Sequence, residues 1–313
     1  MTAAEALALP ISAVTQMMRP VTLDLTEAAR IQKETGITVI TQICNILGLT
    51  IDEIVFVWSS PPCESYTWLG YTNESRGNHF RNHQTEEKEP RSVESCKTDK
   101  DLQKRATAQD HDTLTEGITL SVLLDNRAIR MYHHAMENPR GMMQHRPFML
   151  TAEWLRETVR LLQHWCNWGG QFHKPSHVWT SLTGWVPGGK SGSGKCDQTC
   201  SAGRWEWDKV RKWGIKYVHD CHIGGSTEKK GKLEGSQKQQ RWKAPEDFLD
   251  ELLTEVKENV QMKDRSKKRY VIDLCAGDGS LGPVALDHGF IYVPVDLRNG
   301  CSDDADEKIR VKR

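Results

Sequence analysis

The residues best suited to covalent chemistry follow a short apolar run. Ile-Val-Phe-Val-Trp at 54–58 leads into Ser-Ser-Pro-Pro-Cys-Glu-Ser at 59–65. β-Branched and aromatic residues favour a buried strand, and two prolines stiffen the turn after it. Because α/β sheets bind ligands at the carboxyl ends of their strands, Cys63 is placed where a thiolate nucleophile would act. A Pro-Pro-Cys turn taken alone is more often structural.

A carboxylate occupies a comparable place farther along the chain. His-His-Ala-Met at 133–136 is predicted to form a strand, which leads into Glu137, Asn138 and Pro139. The proline restricts the backbone directly after the acid. A nucleophile and an acid at one edge of a sheet are two of the groups that an active site needs.

A glycine-rich turn lies near the end of the sequence. Asp-Leu-Cys-Ala-Gly-Asp-Gly-Ser-Leu-Gly at 273–282 overlaps the end of a predicted strand at 269–274, and a second predicted strand at 290–297 contains Asp296. Glycines let a ligand approach the backbone, and a carboxylate on the next strand can bind ribose hydroxyls. The same spacing satisfies the dinucleotide pattern Gly-x-Gly-x-x-Gly, so a nicotinamide or flavin site is an alternative at this point.

The elements around these motifs predict an α/β fold with a mainly parallel sheet. Strands and helical patterns alternate along the chain, as parallel sheets require. Only 31 residues follow Gly282, which is room for one helix and one strand. The remaining strands must come from upstream, so we expect a sheet assembled in permuted order. Besides the strands above, 177–182 is predicted to be a strand, and 113–132, 151–165 and 244–260 are predicted to be helices.

Charge is distributed unevenly along the chain. The total is zero, from 42 Lys+Arg and 42 Asp+Glu, yet residues 181–245 hold 13 basic and 6 acidic residues, a net charge of +7. Gly, Ser and Lys runs at 184–196 and 224–240 favour loops. Together with several tryptophans, these features predict a small basic insert on a larger scaffold. A solvated linker is the alternative.

The insert also contains residues that bind soft metals. Cys196, Cys200, Cys221 and His222 offer four zinc ligands, with His219 nearby. A metal would stabilise a small module without a core. Free thiols in a partly ordered loop are the alternative. Three further cysteines lie in apolar surroundings and are predicted to be core residues: Cys44, Cys166 and Cys275.

Composition excludes an embedded membrane protein. Hydrophobic residues make up 37% of the chain, and no segment approaches the ~20 apolar residues of a spanning helix. The amino terminus lacks the features of a signal peptide. Nine cysteines, an odd number, favour a reducing compartment over a disulfide framework. We therefore expect an intracellular protein, in the nucleus of a eukaryote or in the cytoplasm or nucleoid of a bacterium or its phage.

Taken together, the motifs resemble those of the cytosine-5 DNA methyltransferases. That family has an Asp-x-x-x-Gly-x-Gly turn for S-adenosylmethionine, a Pro-Pro-Cys nucleophile and a Glu-Asn dipeptide, which correspond here to 273–279, 61–63 and 137–138. The cofactor motif comes last, as in circularly permuted members. The segment 165–182 is similar to the Tyr-Cys-x-Tyr-Gly…Lys-Pro-Thr-Asp-x-Trp stretch of small phage-type members. The resemblance covers most of the scaffold, and the insert corresponds by position to the target-recognition region.

The resemblance implies both an architecture and a reaction. It implies a Rossmann-like S-adenosylmethionine-dependent methyltransferase sheet in circularly permuted order, with a catalytic part at 1–180, a small basic loop-rich recognition insert at 181–245 and a cofactor-binding part at 246–313. The implied activity is DNA (cytosine-5-)-methyltransferase. Cys63 would attack carbon 6 of a flipped cytosine while Glu137 protonates nitrogen 3.

Other residues take implied roles by their matched positions. Asn138 belongs to the catalytic dipeptide. Lys174 and Ser176 replace the family's two arginines, and Lys174 would donate to the cytosine carbonyl oxygen. The polar segment 66–110 takes the place of the mobile catalytic loop, and its basic residues, Arg81 and Arg91 among them, would meet phosphates; simple disorder is the alternative. The implied S-adenosylmethionine contacts are Asp24, Pro61, Asp273, Leu274, Ala276, Gly277, Asp278, Gly279, Asp296 and Leu297.

Two further functions remain open at this point. One is an RNA cytosine-5 methyltransferase with the same chemistry. The other is a catalytically silent nucleic-acid-binding protein that keeps the methyltransferase fold. The expected partner is double-stranded DNA, with RNA as the alternative, and the chain is expected to act as a monomer.

Overall fold

A computed structural model of the protein describes ten segments of the chain. Its centre is a seven-stranded, mostly parallel sheet with helices on both faces, a mixed α/β arrangement compatible with a Rossmann-like fold. The α/β class predicted from the sequence is therefore confirmed. The described residues are 21–67, 80–82, 84–128, 130–170, 173–189, 192–208, 214–219, 244–260, 268–276 and 279–296.

Nine strands and six helices form the architecture of the described residues. The strands are β1 (Val21–Thr22), β2 (Ile54–Ser59), β3 (His133–Pro139), β4 (Val159–His164), β5 (Pro175–Thr180), β6 (Gly203–Trp207), β7 (Ile215–His219), β8 (Tyr270–Leu274) and β9 (Ile291–Asp296). The helices are α1 (Leu25–Thr35), α2 (Val39–Leu47), α3 (Asp99–Asp125), α4 (Ala152–Glu157), α5 (Glu246–Asn259) and α6 (Leu281–Asp287).

The strand order across the main sheet is β1-β9-β8-β2-β3-β5-β4. The first five strands are parallel, whereas β5 is antiparallel to both of its neighbours. Strand β8, which lies near the end of the chain, pairs with β2 from the amino-terminal half, with Val57 opposite Ile272. The pairing expected for the strand at 269–274 is confirmed.

The sheet has an apolar core on each face. All six residues of β2 are buried, as expected of a central parallel strand with both faces covered. Because side chains alternate along a strand, Val57 joins the core beneath α1, α2 and α3, and Phe56 joins the core beneath α5 and α6. Burial on both faces fixes the carboxyl end of β2, where Cys63 follows.

Two helical predictions differ from the structure. The segment 151–165 is helical only at Ala152–Glu157, and Val159–His164 is strand β4, whose backbone pairs with β5 along its whole length. Helix α3 begins at Asp99, well before the predicted start at 113, because the Thr98 side chain accepts a hydrogen bond from the Asp101 backbone N–H and caps the helix. Residues 99–110 of the segment 66–110, which was predicted to be a loop, are therefore helical.

The insert at 181–245 contains a second, two-stranded sheet. Strands β6 and β7 form an antiparallel hairpin, with Trp205 opposite Tyr217. Among the described residues, no helix combines the length and the apolar character needed to cross a membrane.

Candidate functional site

The candidate site lies where the direction of the chain crossovers changes. From β8 the chain crosses through α6 to β9 on one side, and from β2 it crosses through α3 to β3 on the other. The carboxyl ends of β8 and β2 therefore lie side by side at a switch point, which is where doubly wound sheets bind their ligands. The glycine turn follows β8 and Cys63 follows β2, so the two motifs start from neighbouring strand ends.

Backbone hydrogen bonds fix the turn that carries Cys63. The Ser60 N–H donates to Leu274 O at 3.2 Å, which joins the carboxyl ends of β2 and β8. The N–H groups of Tyr66 and Thr67 donate to Cys63 O at 2.9 and 3.1 Å. Cys63 itself is half-buried with a free thiol, so it is both held in place and reachable.

Glu137 and Lys174 form a buried ion pair beside this turn. Lys174 Nζ lies 3.2 Å from Glu137 Oε1, and the two side chains are 5% and 6% exposed. Oε1 accepts no well-aligned hydrogen bond from the described residues, so the Lys174 charge is its main stabilising contact among them. Ser60 Oγ is 3.5 Å from the other carboxylate oxygen.

The antiparallel strand explains how these two residues meet. Pro139 near the end of β3 lies opposite Ser176 near the start of β5. Lys174 directly precedes β5, so it arrives at the same edge of the sheet as Glu137. A parallel β5 would have placed Lys174 at the far edge.

Asn138 supports the backbone around Cys63. It is fully buried, and its Nδ2 donates to Pro61 O at 3.0 Å. The segments after β2 and β3 also contact each other closely, because Met142 N–H donates to Tyr66 O at 2.6 Å. A Cβ atom on Gly141 would lie 2.2 Å from Tyr66 O, so only glycine fits there. Asn138 and Gly141 thus hold the cysteine turn against the end of β3.

The environment of Cys63 keeps its thiol protonated. Burial is the main cause that raises the pKa of Cys63, to about 11; the Lys174 charge opposes the increase, and the Glu137 charge adds to it. A thiol with this pKa is a weak nucleophile at neutral pH. The free protein therefore holds Cys63 in its resting form.

This pKa predicts the pH dependence of Cys63 alkylation. In the folded protein the thiolate fraction, and with it the iodoacetamide rate, should increase about tenfold per pH unit from neutrality to pH ~10. In urea the same thiol should titrate near its ordinary value of about 8.5. Peptide mass spectrometry at Cys63 measures both rates. If the alkylation rate of the folded protein reached a plateau below pH ~9, the pKa of the Cys63 thiol would not be raised.

A fixed carboxylate lies at the start of the glycine turn after β8. The Tyr292 hydroxyl donates to Asp273 Oδ2 at 2.7 Å, and Asp273 is buried. Cys275 and Gly279, on either side of the undescribed residues 277 and 278, have φ of +66° and +69°. Among the described residues, only Tyr292 Oη, at 3.5 Å, lies near the position of a Cβ on Gly279. A left-handed backbone beside a fixed carboxylate fits a ligand that approaches the main chain.

The other predicted cofactor residues are placed in different ways. Ala276 donates its N–H to Val295 O at 3.2 Å, and the side chain of Leu274 is buried in the core, so only its backbone reaches the edge. Asp24 follows β1, and its Oδ1 accepts the N–H groups of Thr26 and Glu27, which caps α1. Asp296 ends β9 at the same edge. Gly277, Asp278 and Leu297 lie outside the described residues.

A buried ionic network behind Cys63 had no counterpart in the sequence prediction. Arg81 was expected to meet phosphates, yet its side chain is 0% exposed and pairs with Asp112, which also pairs with Arg146. Arg81 Nε donates to Ser65 O at 2.8 Å, and Tyr66 Oη donates to Asp112 at 2.9 Å. The network therefore anchors the residues that directly follow the Cys63 turn. Arg91, the other expected phosphate contact, pairs with Asp101 at 3.0 Å.

The predicted zinc cluster has two of its expected members and two others. Cys196 and Cys200 lie together, but their neighbours are Cys166 and His219, and the four ligand atoms all lie within 4.8 Å of one another. Cys166 is buried as predicted, yet it belongs to this cluster rather than to an apolar core alone. This Cys3His group could bind a metal such as zinc. Cys221 and His222, which were predicted as ligands, lie outside the described residues.

The structure thus brings Cys63, Glu137, Asn138 and Lys174 to one edge of the sheet, next to the glycine turn. The Glu137–Lys174 ion pair, its burial and its place at the switch point of the sheet define what the site can do chemically. No protein-family model, curated protein or solved structure matches the chain. The function is therefore argued from the geometry of these residues.

Proposed function

We propose that the chain is an S-adenosylmethionine-dependent DNA (cytosine-5-)-methyltransferase. The observation that carries the proposal is the grouping of the half-buried Cys63 with the buried Glu137–Lys174 pair at the switch point of the sheet. A nucleophilic sulfur beside a carboxylate and an ammonium suits attack on a polarised heterocyclic ring. The resemblance of the three motifs to the methyltransferase family gives the same assignment.

The order of the motifs supports a circularly permuted version of the methyltransferase sheet. The strand before the glycine turn, β8, lies in the middle of the sheet between β9 and β2, although it comes near the end of the sequence. Strand β2, which precedes Cys63, comes before β8 in the sequence. The strands around the glycine turn are therefore neighbours in the sheet as the proposal requires, although they are far apart in the chain.

The proposed chemistry starts with a proton transfer that the site can balance internally. The Cys63 thiol gives its proton to the Glu137 carboxylate as its sulfur forms a bond to carbon 6 of cytosine, and Glu137 passes the proton to nitrogen 3. Once Glu137 shares a proton with the cytosine ring, its charge no longer opposes the Cys63 thiolate. The Lys174 charge then stabilises that thiolate. Lys174 also donates to the carbonyl oxygen of the ring.

The later steps regenerate the site. S-adenosylmethionine would be held by the glycine turn, where it would supply the methyl group for carbon 5 and leave as S-adenosylhomocysteine. Water then takes the proton from carbon 5 as the bond between sulfur and carbon 6 breaks. Nitrogen 3 returns its proton to Glu137, which passes it back to the Cys63 thiolate. Because a stacked cytosine offers carbon 6 to no side chain, the base must first rotate out of the duplex. The edge of the sheet and the insert would receive it.

The insert supports a nucleic-acid partner. Its segment carries a net charge of +7, which attracts phosphates. The hairpin of β6 and β7 exposes Trp205 and Trp207, which are 53% and 56% accessible. Exposed aromatic side chains beside basic residues are typical of surfaces that stack on bases.

Covalent trapping tests the proposal. Duplex oligonucleotides with 5-fluorocytosine in varied contexts are incubated with the protein and S-adenosylmethionine, because fluorine blocks the final elimination and leaves the adduct in place. We expect an adduct with the wild-type protein and with Cys96→Ser, and none with Cys63→Ser. Absence of an adduct on every DNA and RNA would contradict the methyltransferase proposal. An adduct on RNA alone would show that the substrate is RNA rather than DNA.

A further inference from the structure

The Cys3His group is compact enough to hold one metal ion. Zn²⁺ lies about 2.3 Å from sulfur and about 2.0 Å from nitrogen, so a tetrahedron around it separates two sulfurs by roughly 3.8 Å and a sulfur from a nitrogen by roughly 3.5 Å. In the structure, Cys196 Sγ lies 3.5 Å from Cys200 Sγ. His219 Nε2 lies 3.5 Å from Cys166 Sγ and 3.3 Å from Cys196 Sγ. These three distances are close to the tetrahedral values, and all four ligand atoms lie within 4.8 Å of one another.

A disulfide does not account for the group. The 3.5 Å separation of Cys196 Sγ and Cys200 Sγ is well beyond the ~2.05 Å of a disulfide. A disulfide could also join only two of the three sulfurs and would leave the third without a partner. It gives no reason for an imidazole nitrogen to approach two of the sulfurs. Three sulfurs and one imidazole in a tetrahedron are a typical structural zinc set.

We propose that Cys166, Cys196, Cys200 and His219 bind one structural zinc ion that fixes the insert to the catalytic scaffold. All four positions of the tetrahedron are filled by protein atoms, so the ion has no open position for a substrate. The site does not depend on the methyltransferase reaction, and its tests do not use activity.

The ligands come from two parts of the molecule. Cys166 belongs to a short helical turn, Trp165–Trp168, between β4 and β5 of the main sheet. Cys196 and Cys200 lie in the insert, and His219 ends strand β7 of its hairpin. The apolar cluster around them contains few other residues, Ala202 and Tyr217. A metal would therefore supply the cross-link that this small cluster does not provide by packing.

Groups around the ligands hold them in place. The Gln198 N–H donates to Cys196 Sγ at 3.4 Å, in a loop where Gln198 has a φ of +69°. The Tyr217 hydroxyl donates to the carbonyl oxygen of Cys200 and lies 3.3 Å from Cys200 Sγ. Contacts of this kind orient metal ligands and tune their affinity.

The zinc site is next to the backbone that positions Lys174. Trp165, the neighbour of Cys166, donates its N–H to Lys174 O at 3.2 Å. A Cβ atom on Gly170 would lie 2.7 Å from Trp165 O, so this turn is tightly closed. Zinc on Cys166 would thus hold the turn that presents Lys174 to Glu137.

Metal analysis of the full chain tests the ligand set. We expect one zinc ion per chain by elemental analysis, and its loss in Cys196→Ser and His219→Ala. The matched controls Cys221→Ser and His222→Ala, made in the same insert, should retain the zinc. Tyr217→Phe should keep the site but weaken zinc affinity by about 10–100-fold, as measured by competition with a chelator. Zinc retained in both ligand variants, or lost equally in the controls, would overturn the assignment.

X-ray absorption at the zinc edge covers the case in which a ligand variant fails to fold. The wild-type protein should give three sulfur neighbours and one nitrogen neighbour, at about 2.3 Å and about 2.0 Å. A shell with two sulfurs, a shell with bound water, or a protein that binds iron instead would contradict the proposal. This measurement needs no substitution, so misfolding cannot affect it.

Discussion

Glu137→Gln should change the reactivity of Cys63 and the rate of methyl transfer in opposite directions. The Glu137 charge raises the pKa of Cys63 and partly neutralises Lys174, whose charge lowers it. Removing the carboxylate charge therefore increases the thiolate fraction, and iodoacetamide should modify Cys63 faster at fixed pH. Methyl transfer should fall by about 10²–10⁴-fold, because glutamine cannot supply the proton for nitrogen 3. Mass spectrometry and transfer of a radiolabelled methyl group measure the two rates.

Two matched variants separate charge from packing. Glu64→Gln removes an exposed carboxylate next to Cys63, whose effect on the pKa of Cys63 is the smallest of the charges involved, so both rates should stay near those of the wild-type protein. Lys174→Met removes the charge that lowers this pKa, and alkylation should become slower. If Glu137→Gln slowed alkylation as well as transfer, the electrostatic account of the site would be wrong.

Asp112→Asn should lower the stability of the fold far more than the loss of an exposed carboxylate would. Asp112 balances Arg81 and Arg146, whose side chains are 0% and 10% exposed. Without its charge two buried guanidinium groups face each other, and breaking a buried pair of this kind costs about 3–5 kcal/mol. The free energy of unfolding in urea, followed by tryptophan fluorescence, measures the loss. Cys63 alkylation should also accelerate in native buffer, since Arg81 holds Ser65.

Asp110→Asn provides the control on the same helix. Asp110 pairs with Arg30 at 2.9 Å, but both side chains are half exposed. Exposed pairs contribute about 0–1 kcal/mol, so this variant should unfold close to the wild-type midpoint. Equal losses in the two variants would mean that the buried network does not anchor the turn.

Residues with a strong local signal were predicted correctly from the sequence. The apolar, β-branched run before Cys63 and the run before the glycine turn both form central strands, and their order implied that β8 pairs with the amino-terminal half. The amphipathic pattern at 244–260 forms helix α5, with Pro245 directly before it. Here the local pattern and the tertiary environment favour the same structure.

Features that depend on distant contacts were not predictable in this way. The spacing at 151–165 favours a helix, but pairing with β5 makes Val159–His164 a strand. Arg81 lies in a polar segment that gives no sign of burial, because its partner Asp112 is 31 residues away. Cys166 and His219 join the metal cluster only after β7 and the turn after β4 come together. Sequence spacing detects ligands that are neighbours along the chain, and these are not.

The central position of β8 also determines when the sheet can be completed during synthesis. The ribosome produces β2 and β3 well before β8, which lies between β2 and β9. Until residues 270–296 emerge, one edge of β2 has unpaired backbone groups, and its six buried residues lack part of their cover. Such edges template aggregation, and long-range parallel pairing is slow. We therefore expect the growing chain to expose an apolar strand edge until residues 270–296 have been translated.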